Sequence, residues 1–211
     1  MGKLNIFFDL DGTILNVSER IYRVYFDILK KHKKKVLVKE KYLKIKREKK
    51  SIEEILRKTE AEDISQIYKK EWLKNIEKEE YLNLDRIPVF KKKILVDLKK
   101  RNNLILVTSR KKKKLLYKQI KEKEISKIFQ SVIIVPERWK DKAELLEKEI
   151  KNKNYILISD TESYILAGRK LKIKTVAVCD GVRSKKFLKK FSPKFLIKDI
   201  KDLPKIINSK N

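Results

Sequence analysis

The stretch FFDLDGTIL, residues 7–15, sets two carboxylates, Asp9 and Asp11, two positions apart at the end of an apolar run, with Gly12 and Thr13 next. Ionised side chains are costly to bury, so both acids belong to the tip of a buried strand rather than to its interior. Two further apolar runs close in a similar way. LILVTSR (104–110) ends on the hydroxyls of Thr108 and Ser109, and YILISD (155–160) ends on Ser159 and Asp160. Carboxylates gathered on one rim repel one another unless a cation sits among them. All-oxygen donors suit Mg2+, which keeps several waters and also accepts phosphate oxygens. A carboxylate fixed at a strand tip can attack phosphorus in line. A second one two residues on can protonate the leaving oxygen and then deprotonate the water that follows. The expected metal ligands are therefore Asp9, Asp11 through its backbone carbonyl, and Asp160. Thr108 would hold phosphoryl oxygens, Gly12 would let the turn pass close to the phosphate, and Thr13 would pin that turn.

Parallel sheets present such groups at the carboxyl ends of their strands. Apolar, β-branched runs at 4–10, 104–109, 131–135, 155–160, 175–179 and 194–198 alternate with helical patterns over most of the chain. Strand alternating with helix predicts an α/β fold, a Rossmann-like parallel sheet covered on both faces. The exception lies directly after the first strand. SERIYRVYFDILKKH, VKEKYLKIKREKK, SIEEILRKT and DISQIYKKEWLKNIEKEEYLNL are consecutive amphipathic helix candidates with no strand among them. The expected organisation is a core of residues 1–16 and 87–211 carrying an inserted α-helical cap over 17–86, with hinges near Asn16 and at Arg86 to Pro88. A lid over the rim would exclude water and reach the substrate. Lys46 and Arg47 are the cap residues expected to meet an anionic group.

Composition narrows the classes. The 211 residues carry a formal charge of +28, from 57 Lys and Arg against 29 Asp and Glu. A nucleic-acid partner is therefore possible but not favoured, because the lysines run along the whole chain with few aromatics between them. One cysteine, Cys179, and one histidine, His32, exclude a disulfide framework, a cysteine-rich zinc site and chemistry on several imidazoles. No apolar stretch nears the roughly 18 residues of a membrane span, and the start reads as a strand rather than a cleavable leader, so a cytoplasmic protein is expected.

Asp9-Leu10-Asp11-Gly12-Thr13, LILVTSR, the lysines of WKDKAELLEKEI (139–150) and ILISDTESYILAG (156–168) together resemble the four motifs of the haloacid dehalogenase-like superfamily of phosphohydrolases, in its phosphoglycolate phosphatase-like form with a helical (C1-type) cap. The resemblance covers essentially the whole chain. It implies a Mg2+-dependent phosphatase that forms an aspartyl-phosphate on Asp9, with Asp11 as acid and base. It also implies Thr108, Ser109, Gly12 and Lys142 as phosphate-binding residues, Lys140 being the alternative lysine. The substrate would be a small phosphomonoester such as phosphoglycolate, a sugar phosphate or a nucleotide, handled by a monomer or homodimer. A phosphotransferase or phosphomutase would use the same site, and a nucleic-acid or partner-binding module on an inactive scaffold is the reading from another class. The second aspartate argues against a dehalogenase, since a halide leaves without a proton. One position departs from the pattern: Tyr164 stands where the family often has a second acid, and Glu162 is the acid nearby that could take over its task.

Overall fold

The computed structural model describes residues 3–151 and 154–208. Among them six strands form one parallel sheet: β1 (Asn5–Asp9), β2 (Asn103–Thr108), β3 (Ser131–Ile134), β4 (Tyr155–Ser159), β5 (Lys174–Val178) and β6 (Phe195–Ile197). Their order is β3-β2-β1-β4-β5-β6, and every neighbouring pair is parallel. The chain thus builds outward from β1 on one side, returns, and builds outward on the other. That reversal makes the carboxyl ends of β1 and β4 the switch point of the sheet, where a crevice opens.

Both faces of the sheet are covered, so the central strands read as near-continuous apolar runs rather than alternating ones. Ile6 and Phe8 face one apolar cluster with Leu104, Leu106, Ile156 and Ile158. Phe7 faces the other with Val107, Leu157 and Tyr164. The layers are supplied by α6 (Val89–Lys99), α7 (Lys113–Glu122), α8 (Trp139–Glu147), α9 (Glu162–Lys170), α10 (Lys185–Lys189) and α11 (Leu203–Asn208), numbered after the five helices between β1 and α6.

Those five are α1 (Ser18–Lys31), α2 (Lys39–Arg47), α3 (Ile52–Arg57), α4 (Ser65–Asn75) and α5 (Glu79–Leu82). They bury a cluster of their own, including Val24, Tyr25, Leu29, Tyr42, Leu56 and Tyr68, with the Tyr25 and Tyr42 rings stacked at 4.1 Å. The helical pattern read as continuous over 63–84 breaks after Asn75, and the break turns Tyr81 and Leu82 inward. Where the chain leaves and re-enters the sheet layer, Asn16 and Arg86 exchange two backbone hydrogen bonds of 2.8 and 3.1 Å, clamping the two passages together. Among the described residues no helix is long and apolar enough to cross a membrane.

Candidate active site

Asp9 is the last residue of β1 and is 5% exposed. Its Oδ1 accepts from the Leu10 amide at 2.8 Å and its Oδ2 from the Ser159 hydroxyl at 2.9 Å, so both oxygens are oriented. Ser159 is in turn held by the Thr161 amide at 3.1 Å. Burial first, and then the charge of Asp160, push the Asp9 carboxyl well above its ordinary range, while the Lys142 ammonium works the other way.

Asp160 follows β4 and is fully buried. Its Oδ1 accepts from Thr13 Oγ1 at 3.1 Å and its Oδ2 from the Val182 amide at 2.6 Å. Burial pushes it up to about 6 despite these donors. Glycine is required on two sides of it. A Cβ at Gly12, which sits at φ +84°, would lie 2.0 Å from Asp160 Oδ2, and one at Gly181 would lie 2.2 Å from the same atom. Gly12 is therefore a turn and clearance residue. Its own N–H donates to the Leu15 carbonyl at 2.9 Å, which closes the turn.

Among the described residues no three acidic, histidine or cysteine side chains converge as a ready-made cation cage. What is present is a pair of buried carboxylates whose charged form burial disfavours, with lone pairs to spare and no soft ligand beside them among the contacts they make. That donor set fits Mg2+ held by Asp9 and Asp160 together with backbone oxygen and water.

Asp11, the expected acid and base, is paired with two arginines. Its Oδ2 accepts from Arg110 Nε at 2.5 Å and its Oδ1 from Arg110 Nη2 at 2.6 Å, a bidentate pair, and Arg20 Nη2 lies 3.0 Å from Oδ1. Both arginines also reach Asp85, Arg20 Nε at 3.1 Å and Arg110 Nη2 at 3.2 Å. Burial alone would raise the Asp11 carboxyl, but the two guanidiniums outweigh it and hold the group far below its ordinary range. In this arrangement Asp11 is an anion and has no proton to donate. Sequence reasoning missed the three partners. Arg110 was in view, directly after Thr108 and Ser109, but Arg20 and Asp85 lie at opposite ends of the helical insert and carry no local signal.

Thr108 is fully buried at the end of β2. Ser109 donates to the Pro136 carbonyl at 3.3 Å, so its hydroxyl is directed along the loop. The two candidate lysines differ in their surroundings. Lys140 is exposed, with its ammonium 5.7 Å from the Trp139 ring centroid. Lys142 is 2% exposed and donates to Ser163 Oγ at 3.1 Å. Burial lowers it to about 8, against the opposing pull of Asp9. Glu162, the acid nearby, has one oxygen taken by Lys49 and the other by Arg183 Nε at 3.0 Å, while its charge still favours the Lys142 ammonium.

Lys46 and Arg47 of the helical insert, expected to meet substrate, are also engaged within the protein. Arg47 Nη1 donates to the Gly181 carbonyl at 2.9 Å and Nη2 to the Cys179 carbonyl at 2.5 Å. Lys46 has its ammonium 5.2 Å from the Trp72 ring centroid. Burial, and then the nearby Arg183 charge, lower it to about 8. Cys179, with its side chain in an apolar cluster, is the core residue its surroundings make it.

A family model described as haloacid dehalogenase-like hydrolase matches residues 6–178, most of the chain. The chain belongs to the haloacid dehalogenase-like hydrolases. No curated protein matches it. Solved structures share the fold of this hydrolase along nearly the whole chain. A haloacid dehalogenase-like family hydrolase from Streptococcus pneumoniae superposes with a TM-score of 0.78 at 17% identity, covering 97% of this chain and 98% of that one. A predicted phosphoglycolate phosphatase from Haemophilus somnus 129PT gives 0.74 at 20% identity, with 97% and 98% covered. The proposed HAD hydrolase YfnB from Bacillus subtilis, solved with magnesium bound, gives 0.67 at 14% identity, with 99% and 100% covered.

Proposed function

We propose that this hydrolase is a Mg2+-dependent phosphatase acting on a small phosphomonoester through an aspartyl-phosphate on Asp9. The observation that carries the reading is the state of Asp9: a buried carboxylate at the tip of the central strand, aimed by the Leu10 amide and the Ser159 hydroxyl, with Lys142 beside it. Magnesium bound there would neutralise charge between nucleophile and phosphate. Asp9 and Asp160 would hold it. Asp9 attacks phosphorus, the P–O bond to the leaving alcohol breaks, and the phosphoryl group passes to the carboxylate oxygen. Lys142 and the Thr108 hydroxyl balance the charge on the oxygens in flight. Water, giving up a proton to Asp11, then attacks the phosphorus of the acyl-phosphate, and the bond to the Asp9 oxygen breaks to release inorganic phosphate and the free carboxylate.

The proton for the leaving oxygen comes from Asp11 in this reading, which requires the carboxyl to leave its two arginines and take up a proton from solvent first. Arg20 rides on α1 of the helical insert, whereas Arg110 follows β2, so a shift of the insert against the sheet would loosen the clamp. We read residues 17–86 as the cap that makes this shift, over a core of 1–16 and 87–211. The separate apolar cluster of the helices supports that division.

Asp9→Asn tests the reading, since an amide fills the same space and cannot form the acyl-phosphate. Turnover of p-nitrophenyl phosphate is expected to vanish while the melting temperature is kept. Aluminium or beryllium fluoride with Mg2+ is expected to protect the wild type against heat and not the variant. Undiminished hydrolysis by Asp9→Asn overturns the mechanism.

A further inference from the structure

Tyr164 has three properties that its place in the sequence does not explain. It lies on α9, four residues past Asp160, and is 3% exposed. The Lys142 ammonium stands 3.5 Å from the centroid of its ring. Its hydroxyl is buried, and its polar surroundings include the carboxylates of Asp9, Asp11 and Asp160 and the Ser109 side chain.

A lysine buried to 2% needs something to hold its charge. The charge of Asp9, and then those of Glu137, Glu162 and Asp160, favour the ammonium, but its one hydrogen bond among the described residues goes to a neutral hydroxyl, Ser163 Oγ, so no carboxylate hydrogen bond fixes its direction. The face of an aromatic ring is the negative side of its quadrupole, and its pull on a cation grows when water is excluded. The flexible four-carbon stem of lysine would otherwise leave the ammonium several places to go.

We propose that Tyr164 is a positioning residue, holding Lys142 against the phosphate site through its ring face where a carboxylate would otherwise do so. This rests on the phosphatase reading above. The exchange matters because a ring positions the ammonium without cancelling it. A carboxylate at 164 would add a third anion beside Asp9 and Asp160. With tyrosine there, the site is one charge more positive, which favours a tetrahedral dianion over a second cation. The hydroxyl is dispensable for this role.

Titration calorimetry of inorganic phosphate and of Mg2+ separates the possibilities, with melting curves to verify that each variant folds. Tyr164→Phe keeps the ring and is expected to hold phosphate within about threefold of wild type. Tyr164→Leu is expected to weaken phosphate binding by about tenfold to thirtyfold, the range that a desolvated cation–π contact supplies. Tyr164→Met, which fills more of the space without a π face, replaces it should the leucine variant not fold. In a Lys142→Ala background the same substitution should cost nothing further, because its target is gone. Tyr164→Asp should move the two ligands in opposite directions, phosphate weaker and Mg2+ tighter, which loss of packing alone would not do. The proposal is overturned if Tyr164→Leu binds phosphate like wild type, if Tyr164→Phe falls as far as leucine, or if the loss persists without Lys142. Retained hydrolysis by Asp9→Asn would instead overturn the phosphatase reading itself, whatever the Tyr164 series does.

Discussion

Replacing Arg47 by methionine distinguishes a contact within the protein from a contact with substrate. The guanidinium, at the end of α2, spans to the loop after β5 and donates to the carbonyls of Gly181 and Cys179 at 2.9 and 2.5 Å. Its own carbonyl accepts the Ser184 amide at 2.9 Å. Methionine preserves the packed stem and the backbone bond and deletes only the two charged donors. Hydrogen bonds to charged groups contribute about 1.5–3 kcal/mol each. Arg47 is half-buried, and water can replace part of what is lost, so the pair should be worth about 2–3 kcal/mol of contact between the insert and the loop. Lys49 with Glu162, and Arg183 with the Lys46 carbonyl at 3.4 Å, remain to hold the two together. The fold should therefore survive while this junction opens more often. Amide hydrogen exchange should quicken in α2 and in 179–184 and stay unchanged in β1 and β4. KM should rise by the same factor for p-nitrophenyl phosphate and for a larger anionic phosphomonoester, because the residue touches protein rather than ligand. A rise confined to the larger substrate, with exchange unchanged, would refute this and restore Arg47 as a specificity residue.

Arg110→Met should destabilise the protein by about 3–5 kcal/mol in urea denaturation, since it strands the buried Asp85 and half-exposed Asp11 short of a cation. The same variant should flatten the acid limb of stability. Asp11 is held below its ordinary pKa by Arg110 and Arg20, so its contribution is present above the unfolded value of about 3.9 and fades as pH falls below it. Lys46→Met should act at the alkaline end. Burial and Arg183 lower Lys46 from 10.5 to about 8, so between those values the unfolded chain binds the extra proton and stability climbs with pH. Melting curves from pH 7 to 10.5 should lose that climb in the variant and gain about 1 kcal/mol at pH 7.

Period and composition were enough for the sheet. The runs ending on Asp9, Thr108 and Asp160 became β1, β2 and β4 with Asp160 directly after it, because a doubly covered parallel strand is apolar through its middle and its polar residues gather at its end. The same reasoning identified the helical insert, since four amphipathic stretches in succession need each other to bury their apolar faces. Asp9, Thr108 and Asp160 could be named in advance for a simple reason: their position depends on where a strand stops, which is local.

What the tertiary structure decided is who holds whom. Asp11 was legible as a carboxylate near Asp9, but its protonation is set by Arg20, Arg110 and Asp85, brought together from the first helix of the insert, the loop after β2 and the returning hinge. Lys46 and Arg47 read as free cations because sequence shows a charge without its partner. Folding supplied an aromatic ring for one and two carbonyls of a loop more than a hundred residues away for the other. Lys140 and Lys142 are chemically identical in the sequence and differ only in burial, which the docking of α8 on the sheet decides. The departure at Tyr164 was visible as a missing acid, but the ring above Lys142 was not, since a cation–π contact depends on distance and orientation across two helices. Local chemistry follows from residue type and strand ends, whereas charge state and direction follow from long-range neighbours, and those exist only once the chain has folded.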